Sequence, residues 1–301
     1  MSIVLRPLHL CRSWLFVEGG NEHALLNAAP RCGADVLVQE LEDFTPPELR
    51  PQAWALAPEA YRRWREAGRI AAVRVNPLAA GGMDDLAAVM RGAPDIVALP
   101  KVSEPAQVAL LAEAVSRCER EYGLAEGTTL LLPNIELARG LVQTAAIARA
   151  SPRVKACLIG AEDLIADLGA ERDGEGMALA YARQRFLIEC VAEGVVAVDC
   201  PYTWSGDTDG VERDTRWARR LGYRAKSAVA AEHAAIINAV LTPSAAEIAE
   251  ARAMVAAFAA ARGGGRARVE VGGGLLEKPA ANRAAALIER AKALGEIEQG
   301  R

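Results

Sequence analysis

The sequence predicts a parallel (β/α)₈ (TIM) barrel of the α/β class, with a C-terminal helical extension and a small tail segment. Three observations predict it. Eight short runs rich in Val, Ile and Leu alternate with longer segments of helical spacing. Each run is apolar on both faces, as the strands of a buried parallel sheet are. The count of eight matches the strands of such a barrel. An open doubly wound sheet is the alternative, and it fits less well because no GxGxxG follows the first run.

In chain order the runs are SWLFV (13–17), DVLVQEL (35–41), AAVRVN (71–76), DIVALPK (95–101), LLLPNIE (130–136), ACLIGAED (156–163), VVAVDCP (195–201) and YRAKSAV (223–229). Segments such as NEHALLNAAPRCG, EPAQVALLAEAVSRCEREYG and ARGLVQTAAIARA carry helical spacing between them, and several end near a glycine that can cap a helix. The barrel is expected over about residues 1–240. SAAEIAEARAMVAAFAAAR (244–262) then reads as a long helix. Glycine runs at 263–265 and 272–274 read as flexible joints around a short strand or hairpin, before a last helix near 281–294. The expected organisation is one barrel domain, 1–262, and a flexible C-terminal tail, 263–301, that can act as a lid.

Composition narrows the chemistry. A chain of 301 residues that is 51% hydrophobic can bury a large core. A formal net charge of -4 offers no broad basic surface for nucleic acid. No apolar run reaches the roughly 20 residues of a membrane helix, and MSIVLRPLHLCRSWLF is too interrupted by charge for a signal peptide, so the cytoplasm is the expected location. The six cysteines form no CxxC pair, which argues against a zinc cluster or a disulfide framework. With only three histidines, acid chemistry must rest mainly on carboxylates.

In barrels of this kind the chemistry sits at the carboxyl ends of the strands. The polar residues closing the runs are Glu40, Glu42 and Asp43 on the second strand, Arg74 and Asn76 on the third, and Lys101 on the fourth. The fifth adds Glu136, the sixth Glu162 and Asp163, the seventh Asp199 and the eighth Lys226. Carboxylates facing one cavity repel one another unless a cation sits among them, and oxygen-only ligation suits a hard ion such as Mg2+. Arg74 could clamp a substrate carboxylate through its planar fork. Any one of these charges could equally close the barrel mouth in a salt bridge; the joint pattern over several strands favours a site.

The blocks RSWLFVEGG, GADVLVQELED, VRVNP, LPKV, IELARG, SPRVKACLIGAEDLIADLG and GYRAKSAVAAEHAAIINAVLTPS resemble successive blocks of the HpcH/HpaI aldolase and citrate lyase β-subunit family, over roughly residues 12–262. The resemblance implies a magnesium-dependent carbon–carbon lyase or aldolase acting on a 3-hydroxyacyl-CoA thioester or a related hydroxy or keto acid. It implies Glu136 and Asp163 as metal ligands and Arg74 as the substrate-carboxylate arginine. Glu42 and Asp43 match catalytic acids that hold water at the metal, and Gly160, Ala161 and Glu162 match the backbone that receives the substrate's carboxylate. In the tail, Glu277 matches an acidic residue that closes over a neighbouring subunit's site, which implies a homo-oligomer, trimer or hexamer.

The chain departs from the family pattern at several places. Glu40 stands where an aspartate is usual, Glu18 where a proline is, and Asn27 where a lysine is frequent. The usual His-Pro near the eighth strand is missing, and His233 falls at a glutamine position, as a functional group or a surface residue. These changes leave open a second class of function, a metal- and keto-acid-binding or regulatory homologue without turnover. For the phosphates of CoA, Arg12, Arg31 and Arg50 are the nearby cations in sequence.

Overall fold

Every apolar run forms a strand, and alternation along each strand divides the core in two. The computed structural model describes residues 6–171, 176–263, 269–271 and 274–299. Strands β1 (Ser13–Glu18), β2 (Val36–Glu40), β3 (Ile70–Arg74), β4 (Ile96–Leu99), β5 (Leu130–Ile135), β6 (Ala156–Ile159), β7 (Val196–Asp199) and β8 (Ala225–Ala228) pair in parallel in chain order. β8 returns to β1 through Ser13↔Lys226 and Trp14↔Ser227, which closes the barrel and excludes the open sheet. Side chains of one parity, among them Trp14, Phe16, Val38, Ala72, Leu132 and Val198, fill the interior. Those of the other parity, such as Leu15, Leu37, Val73, Val97 and Ile159, pack outward against the helices.

The helices of the barrel are α1 (Arg50–Glu66), α2 (Gly82–Val89), α3 (Pro105–Glu121), α4 (Ala138–Leu141), α5 (Thr144–Arg149), α6 (Glu162–Leu168), α7 (Ala180–Ala192), α8 (Thr208–Leu221) and α9 (Ala231–Leu241). After β1 the helical spacing is realised differently: a π-helical turn, Ala24–Ala28, runs into a 3-10 turn, Ala29–Arg31. Pro30 explains the break, because it has no N–H to bond the carbonyl four residues back. None of the described helices is long and apolar enough to cross a membrane.

The chain forms two compact units, Met1–Leu241 and Thr242–Arg301. The second holds α10 (Ala245–Gly263), the antiparallel strands β9 (Val269–Val271) and β10 (Gly274–Leu276), and α11 (Lys278–Gln299). Most of the two glycine runs read as joints falls outside the described residues.

Outward-facing polar groups in the barrel are matched in pairs. Asp35 at the amino end of β2 accepts from the guanidinium groups of Arg6 and Arg12 at 3.1 and 3.0 Å, and from the Arg12 N–H at 2.8 Å. Arg12 is thereby buried at the end of the barrel opposite the strand tips, so it is withdrawn from the phosphate-binding role that its sequence position suggested. Glu119 of α3 accepts a bidentate pair from Arg153 at 3.0 and 2.6 Å and the N–H groups of Gly127 and Thr129 at 2.8 and 2.9 Å. Burial alone would push its pKa up, but the hydrogen bonds from Arg153 and the two amides bring it down to about 2.

A depressed carboxylate contributes stability that is complete above its unfolded pKa near 4.5 and is lost as pH falls toward 2. Glu119→Gln should therefore lower stability at neutral pH by on the order of 3 kcal/mol, since it leaves Arg153 buried without its counter-charge. It should also flatten the dependence of stability on pH between about 4.5 and 2. Urea unfolding of both proteins across that range checks this, and equal slopes would contradict the assignment.

Candidate active site

Arg74 is the last residue of β3 and points inward, so its guanidinium lies at the mouth of the barrel with little solvent access, 7% exposed. Its Nε donates to Glu40 Oε1 at 2.9 Å and lies 3.4 Å from Glu42 Oε2. Its two terminal nitrogens reach Asp43 Oδ2 at 3.3 Å and Glu136 Oε1 at 3.5 Å. Phe16 and Phe44 flank the group, with ring centroids 5.1 and 6.0 Å from Cζ. Planar, charged and stacked, the guanidinium is held as a fixed fork.

Lys101 is the second cation. Its Nζ donates to Glu42 Oε1 at 2.7 Å and lies 3.7 Å from Asp43 Oδ1 and 3.5 Å from Asp163 Oδ2. Its backbone adopts a left-handed conformation, φ 53°, that a side chain bearing a Cβ rarely takes, and its N–H donates to Glu136 Oε2 at 3.3 Å. Strain of this kind persists where the surroundings fix it and is concentrated at functional sites.

Two cations thus face five carboxylates: Glu40, Glu42, Asp43, Glu136 and Asp163. The excess of negative charge registers on the acids. Burial, offset by Arg74 and reinforced by Glu42 and Asp163, pushes Glu136 up to about 7. Burial likewise raises Glu42 against the pull of Arg74 and Lys101, and its Oε2 is buried with no hydrogen-bond partner. Both cations are held in the charged state by the surrounding acids, in spite of the burial that opposes it.

The donor set fits a hard divalent ion. Among the described residues no three His, Cys, Asp or Glu side chains converge as a metal cage. A magnesium ion needs no such cage, because it commonly binds through one or two carboxylates and keeps water or substrate oxygens elsewhere. Glu136, just past β5, and Asp163, in the first turn of α6, supply oxygen only, and the Asp163 charge adds to the burial that raises Glu136. Gly160 leaves room for Glu136, since a Cβ there would stand 2.5 Å from Glu136 Cγ.

The remaining expectations divide. Glu40, Glu42, Asp43, Arg74, Lys101, Glu136 and Asp163 come together. Gly160 gives its N–H to the carbonyl of Ile135 at 3.0 Å, so it contributes room and not a donor, while Ala161 and Glu162 open α6. The Glu162 carboxylate accepts from Thr203 at 3.0 Å. Glu277 lies in the second unit, where its carbonyl accepts from the N–H groups of Ala280 and Ala281 at 3.0 and 3.1 Å and caps α11.

Three of the candidates, Asn76, Asp199 and Lys226, do not join the site. Asn76 donates to the Leu41 carbonyl and to Asp85 and fixes the loop after β3. Asp199 and Lys226 have the outward parity and form a buried network with Arg183 of α7 and Asp214 of α8. His233 is fully buried against the Ser205 carbonyl at 3.2 Å, so it is no surface residue, and it stands apart from the acid cluster. Sequence reading missed Phe16 and Phe44, because an aromatic at a strand end gives no signal that separates a guanidinium platform from ordinary core.

The family model for HpcH/HpaI aldolase/citrate lyase matches residues 12–231. The chain is 31% identical to the citrate lyase subunit beta of Escherichia coli (strain K12), with 99% of each chain covered. It is 29% identical to a (3S)-malyl-CoA thioesterase of Cereibacter sphaeroides over 89% of this chain and 90% of that one. Among solved structures, the protein CitE of Mycobacterium tuberculosis in complex with magnesium, acetoacetate and coenzyme A superposes with a TM-score of 0.76 at 26% identity, covering 95% of this chain and 100% of that one.

Glu40 orders this site from beneath: besides Arg74 it accepts the N–H groups of Glu42 and Phe44 at 2.7 and 2.5 Å. Glu40→Asp, one methylene shorter, cannot reach all three partners, and should destabilise by roughly 1–3 kcal/mol through the buried donors it abandons. Chemical denaturation measures this, and an unchanged midpoint would mean that the loop holds itself.

Proposed function

The chain belongs to the HpcH/HpaI aldolase/citrate lyase family, and from that premise we propose that it is a magnesium-dependent carbon–carbon lyase acting on a 3-hydroxyacyl-CoA thioester or a related hydroxy acid. The observation that carries this reading is the unbalanced mouth of the barrel, five carboxylates against Arg74 and Lys101. A cation beside Glu136 and Asp163 would offset that charge and return Glu136 to its ionised form.

In this reading Glu136 and Asp163 hold magnesium, which supplies Lewis-acid polarisation of the carbonyl where negative charge develops. Arg74, locked by Glu40 and stacked on Phe16, grips the substrate's carboxylate or the charge that replaces it in the transition state. Cleavage removes a proton from the substrate hydroxyl, breaks the adjacent carbon–carbon bond and leaves the electron pair as an enolate. Glu42 has a pKa raised by burial and an Oε2 that accepts no hydrogen bond, which suits it to take and return a proton, and the more exposed Asp43 orients water beside it. The N–H groups of Ala161 and Glu162, at the start of α6, would receive the carboxylate end of the acid.

The thioester half of the proposal draws on the relatives named for malyl-CoA and coenzyme A. With Arg12 engaged by Asp35, Arg31 and Arg50 are the cations left for the phosphates. Thioester hydrolysis is the second reading, which the (3S)-malyl-CoA thioesterase favours. A homo-oligomer, trimer or hexamer, with Glu277 as a lid over a neighbouring site, fits the apolar face that Met177, Tyr181, Ile188 and Val191 expose beside and along α7.

Calorimetry should separate the two halves of the site. Glu136→Gln or Asp163→Asn should weaken magnesium binding at least tenfold, whereas Arg74→Ala should leave magnesium in place and weaken keto-acid binding by about 100-fold or more, as expected for losing a buried charge-assisted pair. Unchanged magnesium affinity in both carboxylate variants would move the metal elsewhere.

A panel of malyl-CoA, citramalyl-CoA and 3-hydroxy-3-methylglutaryl-CoA, run beside the free acids with and without magnesium, tests the reaction. Carbon–carbon cleavage of a thioester is expected. Release of free CoA without cleavage would favour hydrolysis, and ligand binding without any turnover would make the chain a binding homologue.

A further inference from the structure

The strand that delivers Glu136 presents a second polar side chain to the same interior. Residues two apart on a strand share a face and stand about 7 Å apart, so Asn134 lies one step deeper than Glu136. The register fixes its level. Arg74 pairs with Ala98, and Ala98 with Leu132. Strand tilt in an eight-stranded barrel of this kind adds about one residue per strand at constant height, so two strands on from Arg74 the level residue is Asn134. The carboxamide therefore belongs to the layer of Arg74 and its platform Phe16, and it forms part of the floor of the site.

Asn134 is fully buried, and neither Oδ1 nor Nδ2 has a hydrogen-bond partner. Its backbone carbonyl accepts from Val102 at 3.0 Å and its neighbours pair with β4 and β6, so the strand cannot turn the side chain elsewhere. Leaving a buried amide unpaired forfeits the hydrogen bonds it made to water in the unfolded chain. The adjoining interior positions are apolar, Leu132 below and Leu158 beside. A leucine would satisfy such surroundings better than an amide, unless the amide meets a ligand.

We propose that Asn134 is a specificity-determining residue that reads a hydroxyl on the carbon chain of the bound acid. The inference rests on the reading of the barrel mouth as an acid-binding site. A carboxamide can give one hydrogen bond and take another, which matches a hydroxyl, and the nearby Glu40 and Glu136 oppose a second anion at this depth. Arg74 then takes the acid's carboxylate, and Asn134 selects what lies beyond it. An analogue with a methyl group in place of the hydroxyl would leave both amide atoms unpaired.

Hydroxypyruvate and 2-oxobutyrate, which differ by a hydroxyl against a methyl, test this by calorimetry in the presence of magnesium. The parent should bind hydroxypyruvate about tenfold more tightly, as one buried hydrogen bond implies. Asn134→Leu should abolish or invert that preference while its melting temperature stays level or rises. Asn134→Ala should lose the preference too, which covers the case in which leucine does not fit. Equal affinities in the parent, or a preference that survives both substitutions, would overturn the proposal while leaving the acid site intact. If the parent binds neither acid, the reading of the barrel mouth fails and this inference fails with it.

Discussion

The constraint on which the rest of this structure depends is the burial of Arg74 among carboxylates. A guanidinium cannot lose its proton at ordinary pH, so a barrel that places one at its mouth must surround it with acceptors. Glu40 is the acceptor that fixes direction, since it also ties down the two backbone N–H groups of the loop that carries Glu42 and Asp43. That loop in turn positions the acids against Lys101. The geometry of one side chain thus propagates through one buried carboxylate to the remainder of the mouth. The arm of a glutamate at position 40 is long enough to reach all three donors.

Two ionic clusters of the barrel show how arithmetic separates support from chemistry. Arg183, Lys226, Asp199 and Asp214 balance, two charges of each sign, with contacts between 2.5 and 2.8 Å. Burial opposes ionisation of Asp214, yet Lys226 and Arg183 bring it down to about 2, so the pairing outweighs the desolvation. At the mouth the count is unequal, several contacts lengthen to 3.3–3.7 Å, and Glu136 rises to about 7. A balanced network is complete in itself. An unbalanced one has capacity for a further positive charge.

The barrel was legible because its signal is long-range and repeated: eight apolar runs, each apolar on both faces and separated by segments of helical spacing. Most of the site was legible too: Glu40, Arg74 and Glu136 have inward parity at or just past the ends of their strands, and Glu42 and Asp43 on the loop after β2 and Asp163 in the first turn of α6 follow close behind. What failed was the step from strand end to strand face. Asp199 closes its strand as Arg74 closes its own, and Lys226 sits in β8, but one residue of alternation turns both toward α7 and α8. Parity could have been counted only with strand boundaries known to the residue, and composition does not give these. His233 and Arg12 failed for a related reason, because a charged or titratable residue in sequence carries no mark of the partner that buries it.

Asn134 illustrates the opposite difficulty. In LLLPNIE it reads as the one polar interruption of a buried strand, a feature with no meaning until the interior face and the level of Arg74 are known. Once they are, its two unpaired amide atoms stand out against an otherwise apolar layer. The tilt of the barrel creates that meaning. It brings residues 60 positions apart in sequence to one height, so a guanidinium and an amide approach a bound molecule from different strands. Substrate choice in the proposed site is therefore divided between strands: the guanidinium on β3 would recognise that the ligand is an acid, and the neutral amide on β5 would distinguish one acid from another.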